Sequence, residues 1–128
     1  MSATDSYVEL TREISKNLTP LRTHNADVMQ GFGALSKAAM APGVLDEKTK
    51  ELIAMAIGVA SRCDGCLGFH AKALVRLGAT PDEFREMLGV EVDEVPGLLP
   101  QAHELHRDAE LGLDGENDPA LGRTVELG

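Results

Sequence analysis

The sequence predicts an all-α domain, a bundle of about six helices with a central antiparallel helix pair. Three observations lead there. Apolar residues recur at spacings of three and four along most of the chain, and Pro, Gly and capping residues fall between those runs. The composition is 43% hydrophobic but 3% aromatic, with no Trp, so Leu, Val, Ile, Met and Ala must build the core, which suits closely packed helices. No convincing strand and no internal repeat is visible, and 128 residues make one domain. Residues 1–111 are assigned to the helical domain and 112–128 to an arm or flexible tail.

After a frayed start, Tyr7, Leu10, Ile14 and Leu18 mark one face of a first helix, expected from Asp5 to Asn17. Thr19-Pro20 offers a cap followed by a proline at the first helical position, so a second helix is expected from there to about Met40. Leu21, Val28, Phe32, Leu35 and Ala39 would be its core face, with Gly31 and Gly33 permitting a close crossing; His24 is assigned no role. Ala41-Pro42-Gly43 breaks the chain. A third helix, Lys48 to Ala60, is apolar all round from Leu52 and is expected to be the central buried helix.

Ser61 followed by Asp64 resembles a capping box, placing the start of a fourth helix at or just before Cys63, with Leu77 as its end and Gly78 as its cap. Thr80-Pro81-Asp82-Glu83 starts a fifth, carrying Phe84, Met87 and Leu88 and ending near Gly89. The acidic, Pro-punctuated stretch from Glu91 to Pro100 leads to a last helix from about Leu98 to Leu111.

A formal charge of −9 and a pI near 4.8 exclude the basic face that nucleic-acid binding requires, and oppose an anionic membrane surface. No window approaches the roughly 18 apolar residues of a spanning helix, and the N-terminus lacks a secretory pattern, so a cytoplasmic protein is expected. The two cysteines, two residues apart, would close too short a loop to constrain the unfolded chain; such a pair in a reducing compartment is catalytic or metal-binding.

Glu51 to His70 concentrates the reactive groups. Positions three and four apart share a helical face, so Cys63, Cys66 and His70 form one stripe. Cys63 sits at a helix N-terminus, where free N–H groups and the helix dipole favour a thiolate, and Cys66 has His70 above it as a base. If the third and fourth helices form a hairpin, Glu51 can face His70 and orient the imidazole. The bland alternative pairs Glu51 with Lys48 or Lys50. The chemistry that suits this set is dithiol redox: one thiolate attacks a peroxide, becomes a sulfenic acid, and the other condenses with it to a disulfide.

These residues resemble the alkylhydroperoxidase AhpD-like branch of the carboxymuconolactone decarboxylase family. That branch is marked by a Glu, eleven residues, CxxC, three residues and a His, and Glu51, Cys63, Cys66 and His70 match each position; Lys50-Glu51-Leu52-Ile53-Ala54 and Gly78-Ala79-Thr80 frame the motif in the same way. The resemblance covers about Leu45 to Leu88. It implies a helical subunit assembling as a homotrimer or homohexamer, with peroxide-reducing or disulfide-exchange activity in antioxidant defence. It further implies that Cys66 is the peroxidatic thiol, Cys63 the resolving thiol that exchanges with a reductant, and Glu51 with His70 the proton relay. The reductant would be a lipoyl protein, a thioredoxin-like protein or a small thiol. One position departs: the best-studied members have a His immediately before the second cysteine, where this chain has Gly65. The decarboxylase branch lacks the cysteine pair, and its activity is not carried over. No flavin, haem or nucleotide motif is visible, and dithiol chemistry needs no organic cofactor.

Two rivals stand beside this reading. Cys63, Cys66 and His70 could bind zinc with His103 or His106 as fourth ligand, although a single CxxC opening a helix is the arrangement of redox dithiols. The thiols could instead sense oxidants without turnover.

Overall fold

The structure is a computed structural model that describes residues 6–94. The last helix expected from 98 to 111, its His103 and His106, and the arm 112–128 lie outside the described residues. Within them are five helices and no strand: α1 (Tyr7–His24), α2 (Ala26–Met40), α3 (Glu47–Ala60), α4 (Asp64–Arg76) and α5 (Pro81–Glu94). The all-α expectation therefore holds, with five of the expected helices in view.

Local chemistry fixes most helix ends. Ser6 caps α1 by accepting from the Glu9 N–H at 3.2 Å. Asp46 caps α3, accepting from the Thr49 N–H at 2.7 Å, and hydrogen bonding from the Thr49 side chain, then from that N–H, holds the Asp46 carboxyl below its usual range. At α5 the expected capping box closes in both directions: Glu83 N–H donates to Thr80 Oγ1 at 3.2 Å, and Thr80 N–H to Glu83 Oε2 at 2.9 Å. Glu83 also takes the Lys48 Nζ at 2.7 Å, which ties the start of α5 to α3.

The first boundary is not where the sequence placed it. Pro20 lies inside α1, and the break falls at Asn25, with φ −126° and ψ 50°. Pro20 removes the N–H that would bond the Lys16 carbonyl, but both residues are exposed, so water satisfies that group and the helix continues. Thr19 does not act as a cap; its hydroxyl donates back to the Ser15 carbonyl at 3.2 Å. α5 likewise runs past Gly89, because Leu88 is buried and Val92 still packs on the core, so the apolar face outlasts the weak residue.

The core is Met55 and Val59 of α3, Leu67 and Leu74 of α4, and Phe84 and Leu88 of α5. Each such side chain contributes about 1.5–3 kcal/mol on burial. α3 and α4 form an antiparallel hairpin: Arg76 reaches Glu47 at 2.8 Å, His70 reaches Glu51, and Cys66 and Leu67 lie against Gly58. α1 crosses the other side of α4, antiparallel to it, with Thr11 against Gly68 and Ile14 against Gly65.

Two expectations about burial are corrected. α3 is not covered all round, since Ile53 and Ile57 are 47% and 63% exposed. α2 buries no residue at all, and Val28, Phe32 and Leu35 of its expected core face are 69%, 66% and 68% exposed. Gly31 and Gly33 have nothing within 4 Å among the described residues, so they serve no close crossing there. The periodicity identified an apolar face correctly; nothing among the described residues covers it.

Candidate active site

The turn between α3 and α4 sets the site. Ser61 ends α3, and two bonds close the turn behind it: Arg62 N–H to the Val59 carbonyl at 3.1 Å and Cys63 N–H to the Gly58 carbonyl at 3.0 Å. This is a Schellman motif, whose residue after the cap adopts the left-handed conformation. Arg62 occupies that position with φ +54°. The end of α4 repeats the same pattern of bonds, Gly78 N–H to Val75 and Ala79 N–H to Leu74, but there the left-handed residue is glycine. Ser61, expected to cap the fourth helix, instead ends the third.

Cys63 is the N-cap of α4, and its sulfur accepts from the Cys66 N–H at 3.3 Å. Cys63 and Cys66 are joined as a disulfide with 5.2 Å between their Cα atoms. Once the bond is reduced, the amide and the N-terminal end of the helix stabilise negative charge on Cys63. Gly58 lets α3 approach this turn closely: a methyl group there would sit 3.4 Å from Cys66 Cβ and 3.2 Å from Leu67 Cδ2.

One helical turn above Cys66, His70 Nδ1 meets Glu51 Oε2 at 2.7 Å. Glu51 is 6% exposed, so its carboxylate has exchanged water for this partner. The lysines that could have claimed Glu51 are engaged elsewhere, Lys48 with Glu83 and Lys50 with the Ala39 and Ala41 carbonyls at 3.0 and 2.6 Å. A carboxylate accepts hydrogen bonds, so in this pair Nδ1–H is the donor and Nε2 is the ring nitrogen left to exchange a proton. The structure thus brings all four expected residues, Glu51, Cys63, Cys66 and His70, into one hairpin.

The chain matches the profile of the carboxymuconolactone decarboxylase family over residues 26–100, a span that contains the whole hairpin. It belongs to that family. A protein 4 in the cox locus of Paracoccus denitrificans is 38% identical over 95 residues, 74% of this chain and 82% of that one. A protein of Cupriavidus necator is 34% identical over 90 residues, 70% and 79% of the two chains. The crystal structure of an apo carboxymuconolactone decarboxylase family protein from Legionella pneumophila shares 41% identity and a TM-score of 0.79, covering 84% of this chain and 96% of the other.

Against the AhpD-like pattern of the family, Gly65 is the residue out of place, and its surroundings show what replaces a side chain there. A Cβ at Gly65 would stand 3.0 Å from Ile14 Cδ1, so an apolar side chain from α1 lies over this turn. Among the described residues no His, Cys, Asp and Glu side chains group into a metal site, and the fourth zinc ligand considered from the sequence lies outside them. No described helix is long and apolar enough to cross a membrane. Sequence reasoning missed Gly58, Ile14 and Arg62 as parts of this site. Only Gly58 left a signal, in the small residues alternating along the third helix.

Proposed function

We propose that this protein is a dithiol peroxidase that reduces hydroperoxides through the Cys63/Cys66 pair, in antioxidant defence. The observation that carries the reading is the 2.7 Å Glu51–His70 bond on the same hairpin as the disulfide, with His70 one turn beyond Cys66. In the reduced enzyme His70 Nε2 takes the Cys66 proton, and the thiolate attacks the distal peroxide oxygen. The O–O bond breaks, Cys66 becomes a sulfenic acid, and His70 returns the proton to the departing alkoxide. Cys63, held as a thiolate at the helix N-terminus, attacks the Cys66 sulfur; the disulfide forms and hydroxide leaves, becoming water with a proton from solvent. A reductant thiol then gives its proton to His70 and attacks Cys63 as the thiolate, and Cys66 departs taking that proton from His70. Glu51 holds the ring in the required tautomer.

The same proposal includes assembly with further copies of this chain, as a trimer or hexamer. Its support is the apolar face of α2 and the Ile53 and Ile57 side chains on α3, which together exceed scattered surface hydrophobes.

The test is peroxide consumption by the reduced protein with a dithiol in excess. Repeated turnover that Cys66→Ser abolishes and His70→Ala slows by about a hundredfold is the expected result. Wild-type rates in Cys66→Ser refute the assignment of that thiol; a single stoichiometric oxidation without turnover favours a redox sensor.

A further inference from the structure

The two Schellman turns of this fold differ in one residue, and the difference lies beside the reactive sulfur. At the end of α4 the left-handed position is Gly78, which adopts φ +73° without a Cβ to crowd the backbone. At the end of α3 the same position, immediately before Cys63, is Arg62 at φ +54°. Glycine would make the turn with less strain, so the arginine is not there for the backbone.

Nor is it there for an internal partner. Arg62 is exposed, and its side chain takes part in no hydrogen bond or ion pair among the described residues, whereas Lys48, Arg76 and Arg85 are each paired with a carboxylate. Asp64, two residues away, is exposed and makes no ion pair with it. In a chain of net charge −9, this leaves a cation held next to Cys63. Cys63 itself is half-buried, and the exposed Arg62 directly precedes it on the turn.

We propose that Arg62 is a specificity-determining residue that steers thiol reductants bearing a carboxylate near the sulfur onto Cys63. The inference rests on the disulfide-exchange step proposed above. In that step a reductant thiolate forms a bond to Cys63 Sγ as the Cys63–Cys66 bond breaks; Cys66 leaves and takes a proton, and a second reductant thiolate releases Cys63 by forming the oxidised reductant. The incoming nucleophile is anionic, and a neighbouring carboxylate doubles its charge. In largely aqueous surroundings, a unit positive charge about 7 Å from an incoming thiolate favours each negative charge by about threefold in rate at low ionic strength. The preference should vanish near 1 M salt, where the Debye length is about 3 Å.

The experiment measures the rate of disulfide reduction in oxidised wild-type protein, Arg62→Lys and Arg62→Gly by three small thiols. They are 3-mercaptopropionate, 2-mercaptoethanol and cysteamine, whose thiolates carry two, one and no net negative charges. Taking the variant-to-wild-type ratio for each thiol cancels its intrinsic reactivity. Arg62→Gly should slow the three in graded order, by about threefold more per negative charge, with the grading lost in high salt. Arg62→Lys should keep the grading. Arg62→Gly should also melt no lower than wild type, and about 3 °C higher if the left-handed strain is relieved in full. Reduced thioredoxin, an acidic dithiol protein, separates the source of the carboxylates: a larger loss than with 3-mercaptopropionate assigns them to a protein surface, a smaller one to a small thiol. Equal ratios for all three small thiols, or a lower melting temperature in Arg62→Gly, overturn the inference. Failure of every thiol to reduce the wild-type disulfide refutes instead the exchange reading on which it rests.

Discussion

Replacing Gly68 by alanine tests how closely α1 rests on α4. A Cβ built there lies 2.5 Å from Thr11 Cγ2 and 3.2 Å from the Tyr7 carbonyl oxygen. Thr11 has no exposed surface and its hydroxyl is committed to the Val8 carbonyl at 3.0 Å, so the methyl has little room to move. Overpacking of this kind costs about 1–3 kcal/mol, and the better helix propensity of alanine offsets roughly 1. The net loss of up to about 2 kcal/mol should lower the melting temperature by up to about 8 °C in thermal unfolding followed by circular dichroism. Gly89→Ala is the control, because nothing lies within 4 Å of that position in α5; there propensity acts alone and the protein should gain about 0.5–1 kcal/mol. Adding Thr11→Ser to Gly68→Ala removes the nearer obstacle while keeping the hydroxyl, and should recover part of the loss. If Gly68→Ala and Gly89→Ala stabilise alike, the close crossing of α1 over α4 is wrong.

Glu51→Gln keeps a hydrogen-bond acceptor beside His70 but removes its charge, and should cut peroxide turnover by about tenfold or more with little change in fold by circular dichroism. Glu83 and Glu91 should act on acid stability with opposite signs. The hydrogen bond from Lys48, then that from the Thr80 N–H, lowers the Glu83 carboxyl from its ordinary 4.5. Its contribution is therefore present above 4.5 and lost as pH falls through the lower folded value, so Glu83→Gln should destabilise at neutral pH and converge with wild type in acid. Burial raises the Glu91 carboxyl above 4.5, and its Oε2 has no hydrogen-bond partner. Ionising it opposes folding as pH rises, so Glu91→Gln should stabilise at neutral pH and lose that advantage in acid; chemical denaturation across pH reads both. Phe32→Glu, on the uncovered face of α2, should reduce the molar mass measured by light scattering while leaving each subunit folded.

The hairpin was legible in the sequence because its determinants are local. The spacing from Glu51 to His70, the cap signal at Thr80, and Gly78 each encode geometry within a few residues. What was not legible depended on contacts between elements. Pro20 reads as a helix start, yet it is tolerated inside α1 because both ends of the missing bond face water. Val28, Phe32 and Leu35 read as core, since periodicity marks an apolar face without saying whether the same chain covers it. Ile14 gave no sign that it would lie over Gly65, because the crossing of α1 and α4 is set by tertiary packing. Arg62 is the reverse case, a residue whose backbone conformation contradicts its own preference and is imposed by the turn around it.

The reactive groups are also neighbours in time. Glu51 and His70 stand only nineteen positions apart, with both sulfurs between them, so the loop that must close to unite them is short and costs little entropy. Such low contact order favours early formation, ahead of the docking of α1. During synthesis the hairpin leaves the ribosome before the C-terminal third of the chain, and the sulfurs can meet while the subunit is still incomplete. The dithiol centre proposed above is then a self-contained cassette: the twenty-residue stretch holds every residue assigned a role in it, and the surrounding helices supply shelter.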